Sequence, residues 1–354
     1  MLSKKTSKMV LTIGCDYIHP RGGIAQVMNT YSLYVFNPFR CIINSGGNNK
    51  IEKFWKAFTA YIKTFTLLLC DKRIQILHIH TASNNSFRRS AWWIKLAVFL
   101  KKKVVLHIHG GNFKTYYQSN PTWIKKRLDS CDAIIALNET WNTYFTKELQ
   151  CQNVYIIENI IPSPHIYTIN STDTHFHLLF LGLITEEKGI FDLLEMIEIN
   201  RSSLEQKIIL HIGGLGKINK LQETIKQLKL ESLVKYEGFV SGKHKEYLLN
   251  LSDAFILPSY IEGLPISILE AMSYGKPILT TPIGGIPEII KENKNGYLFK
   301  PGDKTSMYNA LCALLNHPQI SYEMGLKNKE IAQNHLPKKI GTDLNNLYLE
   351  LTKN

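Results

Sequence analysis

Residues 259–279, SYIEGLPISILEAMSYGKPIL, set two carboxylates, Glu262 and Glu270, eight positions apart on either side of a proline. Proline is tolerated in the first turn of a helix, so 253–259 reads as a strand, 260–264 as a loop, and a helix begins near Pro265. With about 1.5 Å of rise per helical residue, Glu270 lies roughly a turn and a half above that start, while Glu262 stays in the loop. The two acids can then reach one ligand from different heights. Helix N-termini favour anions, so the amides of Gly263, Leu264 and Ile266 suit a diphosphate. The acids are left to hold hydroxyl groups. Taken alone, the same residues read equally well as a solvated loop acid and an ordinary surface ion pair.

Further glycine turns follow apolar runs. LGLITEEKG ends in Lys188, a cation for an anionic ligand. HIGGLGKI carries Gly213, Gly214 and Gly216, and IGGIPEII carries Gly284 and Gly285. Near the N-terminus, HPRGGIAQV puts Gly22 and Gly23 where backbone can approach a phosphate closely, and VVLHIHGGNF puts His109 at a strand end. Each turn alone is weak, because glycine turns are common after strands.

These turns need strands to carry them, and short apolar runs recur throughout: MVLTIGCD, IQILHIH, KVVLHIHG, AIIALN, VYIIEN, FHLLFLG, KIILHIGG, VKYEGF, DAFILPS and PILTT. They alternate with helical segments at 53–69, 91–100, 191–199 and 217–228. The runs are too apolar for a sheet with one wet face and read as central parallel strands. The fold class is α/β, two doubly wound Rossmann-like halves. The stretch 159–175, with Pro162 and Pro164, is the linker, giving domains of 1–165 and 166–354.

The chain has 354 residues, ample for two cores, and a net charge of +13. Residues 1–165 carry 22 Lys+Arg against 8 Asp+Glu, and residues 166–354 carry 20 against 21. The excess sits in the first half, which implies an anionic partner or simple solubility. Basic residues flank aromatics at Arg88, Arg89, Trp92, Trp93 and 101–103, and again at Tyr116, Tyr117, Trp123 and 125–127. That pattern suits an anionic membrane surface, or a buried helix with snorkelling ends. Six scattered cysteines without metal spacing read mostly as buried thiols of a reducing compartment. No run reaches about 18 apolar residues, so no transmembrane helix is expected, and the N-terminal 16 residues read as a first strand rather than a signal peptide.

The ordered set of HPRGGIAQV, HIHGGNF, LGLITEEKG, GGLG, YEGFV, EGLPISILE with AMSYGKP behind it, and IGGIPEII resembles the retaining glycosyltransferases of family 4, which have the GT-B fold. The resemblance covers most of the chain. It implies two Rossmann-like domains facing a cleft, with a UDP- or GDP-sugar donor held mainly by the C-terminal domain. The N-terminal domain would bind a glycan or lipid-linked glycan acceptor. Carried over by position, Glu270 holds the ribose, Glu262 the transferred sugar, Gly263 and Leu264 the diphosphate region, and Lys188 the phosphate charge. Gly22 and Gly23 approach the diphosphate from the other domain, Gly238 and Val240 lie near the base, and His109 contacts the donor sugar beside the reacting carbon. Arg21, Asn112 and Tyr116 fall on the acceptor side. Many members have arginine where this chain has Leu183, and an acid where it has Leu215.

The sequence contains no D-x-D, and the resemblance implies catalysis without a metal or other cofactor, by a front-side retaining mechanism. It also implies a cytoplasmic enzyme of bacterial surface polysaccharide synthesis, at most peripheral on the inner membrane face. A nucleotide-sugar epimerase of the same architecture is the enzymatic rival. A dinucleotide-dependent dehydrogenase is disfavoured because GGLGKI lacks the G-x-G-x-x-G spacing. The basic residues form no recognisable nucleic-acid module, so no nucleic acid is expected as partner. His78, His80 and His107 alternate along their strands, receive no role, and are not expected to hold a metal.

Overall fold

The computed structural model describes residues 1–20, 22–44, 49–169 and 173–353. It divides into two compact units, Met1–Pro162 with Asn334–Asn354, and Ser163–Gln333. In the first unit, strands β1 (Val10–Gly14), β2 (Cys41–Ile43), β3 (Ile76–Thr81), β4 (Lys103–Ile108), β5 (Ala133–Ala136) and β6 (Val154–Ile156) form a sheet of order β2-β1-β3-β4-β5-β6. In the second, β7 (Phe176–Leu181), β8 (Ile208–Gly213), β9 (Val234–Gly238), β10 (Ala254–Leu257), β11 (Ile278–Thr280) and β12 (Gly296–Leu298) run in the order β12-β11-β10-β7-β8-β9. Every pairing is parallel.

The central strands are buried along their whole length, β1, β3, β8 and β10 without exception, as strands covered on both faces must be. All ten apolar runs become strands. The two further strands, β2 and β12, are three-residue edges. A helix at Lys4–Met9, started by Ser3 accepting from the Thr6 amide, precedes β1.

One face of the first sheet is apolar. It packs Phe87, Trp93, Ile94, Phe113, Ile124 and Phe145 against the strands. Polar side chains crowd elsewhere in this unit. His80 and His107 pair across β3 and β4. The His78 ring stacks on His80 with centroids 4.4 Å apart. The last helix, Pro337–Thr352, belongs to this unit, and its buried Tyr348 hydroxyl lies 2.7 Å from His78 Nδ1. His335, just before that helix, sits with Nδ1 3.2 Å from the Asn159 carbonyl.

Two expectations are adjusted. Of the six free cysteines only Cys151 is fully buried; Cys70 is exposed and the other four are half-buried. Trp92 and Trp93 part company, because the Asn85–Phe99 helix turns Trp93 into the core and leaves Trp92 63% exposed. Among the described residues, no helix is long and apolar enough to cross a membrane.

Burial holds the imidazole of His78 down to about 3 and that of His335 to about 4. Both are therefore neutral in the fold, whereas an unfolded histidine takes a proton near 6.5. Their contribution is complete above about 6.5 and is lost as pH falls towards the folded values, at about 1.4 kcal/mol per pH unit for each. Urea midpoints should drop steadily between pH 7 and 4.5; a midpoint independent of pH in that window would contradict the neutral burial.

Candidate functional site

In the second unit the loops after the strands are stitched to one another. The Tyr260 amide after β10 donates to the Glu187 carbonyl after β7 (2.8 Å), and the Gly285 amide after β11 donates to the Gly263 carbonyl (2.6 Å). Ile184 and Leu215, after β7 and β8, bond through backbone at 2.7 Å. This frame fixes Glu262, whose side chain is 9% exposed. Its Oε1 accepts from the Ser259 hydroxyl at 2.9 Å and from Lys188 Nζ. Ser259 is held in turn by Thr281, which donates to its carbonyl at 2.6 Å.

Glu270 lies in the Ile266–Ser273 helix with a side chain 6% exposed, and pairs with Lys245 Nζ at 2.5 Å. Pro265 occupies the cap position immediately before that helix, with extended ψ, rather than its first turn. Each glutamate of the pair thus has its own lysine. A buried carboxylate without a cation is strongly unfavourable, so these are structural ion pairs as they stand. They also present two cations and two acceptors at the carboxyl end of a parallel sheet, where α/β proteins bind ligands.

Lys245 was invisible to sequence reasoning. It lies in SGKHKEY, on the Gly242–Leu251 helix that follows β9, and nothing in that segment announces a partner 25 positions downstream. The loop before this helix contains Gly238, which ends β9 with φ +72°, and Val240, which is buried. Leu264 is buried too, and Leu183 is exposed.

In the first unit, His109 follows β4. Its amide donates to the Thr81 carbonyl (2.8 Å), and its Nε2 lies 2.9 Å from His80 Nδ1. Its ring stacks on His107 with centroids 4.1 Å apart. Desolvation pushes the His109 imidazole down to about 3, partly offset by a hydrogen bond to Asn159. It is therefore neutral at physiological pH and suited to hydrogen bonding rather than to carrying charge.

Gly22 caps the Gly23–Tyr34 helix with φ +137°, and nothing lies within 4 Å of where a Cβ would sit. Asn112 precedes the Phe113–Ser119 helix and is exposed, whereas the Tyr116 ring is buried against Phe87 and Phe113. Arg21 lies outside the described residues. His78, His80 and His107 offer nitrogen atoms within 4.8 Å of one another, but one nitrogen of His78 is taken by Tyr348 and one of His80 by His109.

Residues 168–333 match the family described as glycosyl transferases group 1. The match spans nearly all of the second unit. N-acetyl-alpha-D-glucosaminyl L-malate synthase of Bacillus anthracis is 24% identical over 298 residues, 80% of this chain and 76% of that protein. The amylovoran biosynthesis glycosyltransferase AmsK of Erwinia amylovora is 32% identical over 148 residues, 39% of this chain and 34% of that one. The structure of Anabaena HepE in complex with UDP superposes with a TM-score of 0.75 at 16% identity, over 96% of this chain and 99% of that one. This likeness shows the fold, the GT-B class of two Rossmann-like units in one chain.

Gly284 tests the frame. Its φ is +56°, and an added Cβ would fall 2.2 Å from the Glu262 carbonyl oxygen and 2.7 Å from that of Gly263. Left-handed backbone at a residue other than glycine costs about 1–3 kcal/mol, and the clash would displace the loop that carries Glu262. Gly284→Ala should lower the unfolding free energy of the second unit by at least about 1 kcal/mol, read by urea titration; an unchanged midpoint would mean the loop moves freely.

Proposed function

We propose that this chain is a retaining glycosyltransferase that moves a sugar from a UDP- or GDP-sugar to a glycan or lipid-linked glycan in surface polysaccharide synthesis. The observation that carries the reading is the pair of lysine-matched glutamates, Glu262 with Lys188 and Glu270 with Lys245, on loops and helices at the strand ends of a group 1 domain. The Anabaena neighbour was solved with UDP, and AmsK is named for amylovoran biosynthesis. Both names support the donor and acceptor classes proposed here.

In this reading, Glu270 accepts from the ribose hydroxyls and Glu262 from hydroxyls of the transferred sugar, while each lysine stays paired with its carboxylate and Lys188 also offers its charge to the diphosphate. Breaking the bond to the anomeric carbon places positive charge on the sugar ring and negative charge on the departing phosphate. Lys188, with the backbone of Gly263, meets that negative charge in a site already organised before reaction, which favours the transition state over the ground state. Neutral His109 supplies a hydrogen bond to the sugar. Gly22 and Gly23 approach the diphosphate, Gly238 and Val240 border the base, and Arg21, Asn112 and Tyr116 serve the acceptor. With lysines in charge of the phosphates, transfer proceeds without a divalent ion.

The experiment is a thermal-shift titration with UDP, GDP and their sugar conjugates, on the full chain and on Glu270→Gln. A ligand present at 100 times its dissociation constant stabilises the folded state by about 2.7 kcal/mol, enough to raise Tm visibly. One nucleotide series should shift the wild type, and the variant should bind it about ten-fold or more weakly, in keeping with a lost charge-assisted hydrogen bond. Absence of a shift with either series at millimolar concentration would overturn the donor assignment.

A further inference from the structure

The Lys50–Cys70 helix is apolar on two opposite sides. Ala60, Thr64 and Leu68 face inward and are buried. On the outside, Ile51, Trp55, Phe58, Ile62, Phe65 and Leu69 are all exposed, from 36% at Phe65 to 72% at Ile51. Their spacing of four, three, four, three and four residues makes one continuous stripe along 21 residues, about 30 Å at 1.5 Å per residue. The stripe is preassembled, for the rings of Trp55 and Phe58 meet edge to face with centroids 5.8 Å apart. A soluble monomer rarely leaves so much contiguous apolar surface in water without a use for it.

The same spacing would serve a coiled-coil seam with a second copy, and the charges decide between the two occupants. The helix carries Lys50, Lys53, Lys56 and Lys63 and a single acid, Glu52. Glu52 already faces Lys56 at 3.7 Å, so a second copy would add lysine charge without further acids on the helix to pair with it, whereas an anionic surface supplies the missing negative charge. The neighbouring Asn85–Phe99 helix, joined to this one by the Tyr61 and Trp93 rings at 5.2 Å, extends the surface. It exposes Phe99 and Trp92, with Lys95 set over the Trp92 ring. Beside it, Arg88, Lys95 and Arg127 with Trp92 and Trp123 line a groove of about 360 Å³, a basic and aromatic setting for a phosphate headgroup.

We propose that the Lys50–Cys70 helix lies in the headgroup–acyl boundary of an anionic bilayer and docks the first unit on it. Helices of this kind sink their apolar face about 5–10 Å into the boundary while lysines meet the headgroups. Docking of this kind stands on the first unit alone and is independent of the chemistry proposed for the second.

The test is flotation of the full chain with vesicles of phosphatidylcholine and phosphatidylglycerol, or of phosphatidylcholine alone, at low and high salt. The wild type should float with the anionic vesicles at low salt and be released at high salt. Trp55→Ser/Phe58→Ser/Phe65→Ser removes exposed side chains only and should cut partitioning at least ten-fold, in line with the apolar area lost, about 25 cal/mol per Å². Lys56→Glu/Lys63→Glu should cut it by about ten-fold or more on anionic vesicles. Should the serine variant lose its circular-dichroism signature, the charge-reversal pair carries the test. Failure of the wild type to float, or equal flotation of the charge-reversal pair, would overturn the proposal. So would a concentration-dependent dimer in light scattering, abolished by the serine variant in a wild type that ignores vesicles.

Discussion

A carboxylate withdrawn from water has to be given a cation, and the second unit is arranged around two such obligations. Glu262 and Glu270 are both nearly covered, and each has a lysine within ion-pair distance. Those lysines come from elsewhere in the chain, Lys188 from the turn after β7 and Lys245 from the helix after β9. The two ion pairs therefore do more than neutralise charge. They tie the β10 loop and the helix behind it to the exits of two other strands. The geometry of one acid cannot change without moving the backbone of a neighbouring connection.

That interdependence explains why so much backbone hydrogen bonding is spent between loops rather than within them. The exits of β7, β8, β10 and β11 are joined by amide–carbonyl bonds of 2.6–2.8 Å, and Thr280 and Thr281 add side-chain bonds to the Leu257 and Ser259 carbonyls. Donors fixed in this way need not be reorganised when charge develops on a bound group, which is the physical requirement for electrostatic stabilisation of a transition state. The first unit solves a different problem. It buries His78, His80 and His107 by keeping them neutral, and the His80 contact fixes the direction in which one nitrogen of His109 points. With its hydrogen bond to Asn159, that contact orients the His109 ring on the core beneath it.

The sheets were legible in the sequence because strands buried on both faces are continuous apolar runs, and such runs cannot be mistaken for loops. The edges were not legible. Cys41–Ile43 and Gly296–Leu298 are three residues long and only partly buried, too short for a pattern. Glu262, Glu270 and Lys188 stood out because motif and turn lie in one segment. Lys245 and Ser259 did not, because their partnership with the acids exists only after folding.

The Lys50–Cys70 helix marks the limit from the other side. The four-three repeat of Ile51, Trp55, Phe58, Ile62, Phe65 and Leu69 is plain in the letters, and the ordinary inference from such a stripe is that it faces the core. The fold assigns the core to the opposite side, where Ala60 and Thr64 allow close approach and Leu68 fills the remaining space. A helix with a second apolar side is expected where that side too is covered. One side of this helix is already covered by its own unit, and the helix carries a single acid against four lysines. What completes its burial must therefore be apolar in depth and negative at its surface, a description that fits an anionic lipid boundary better than another copy of the same basic helix.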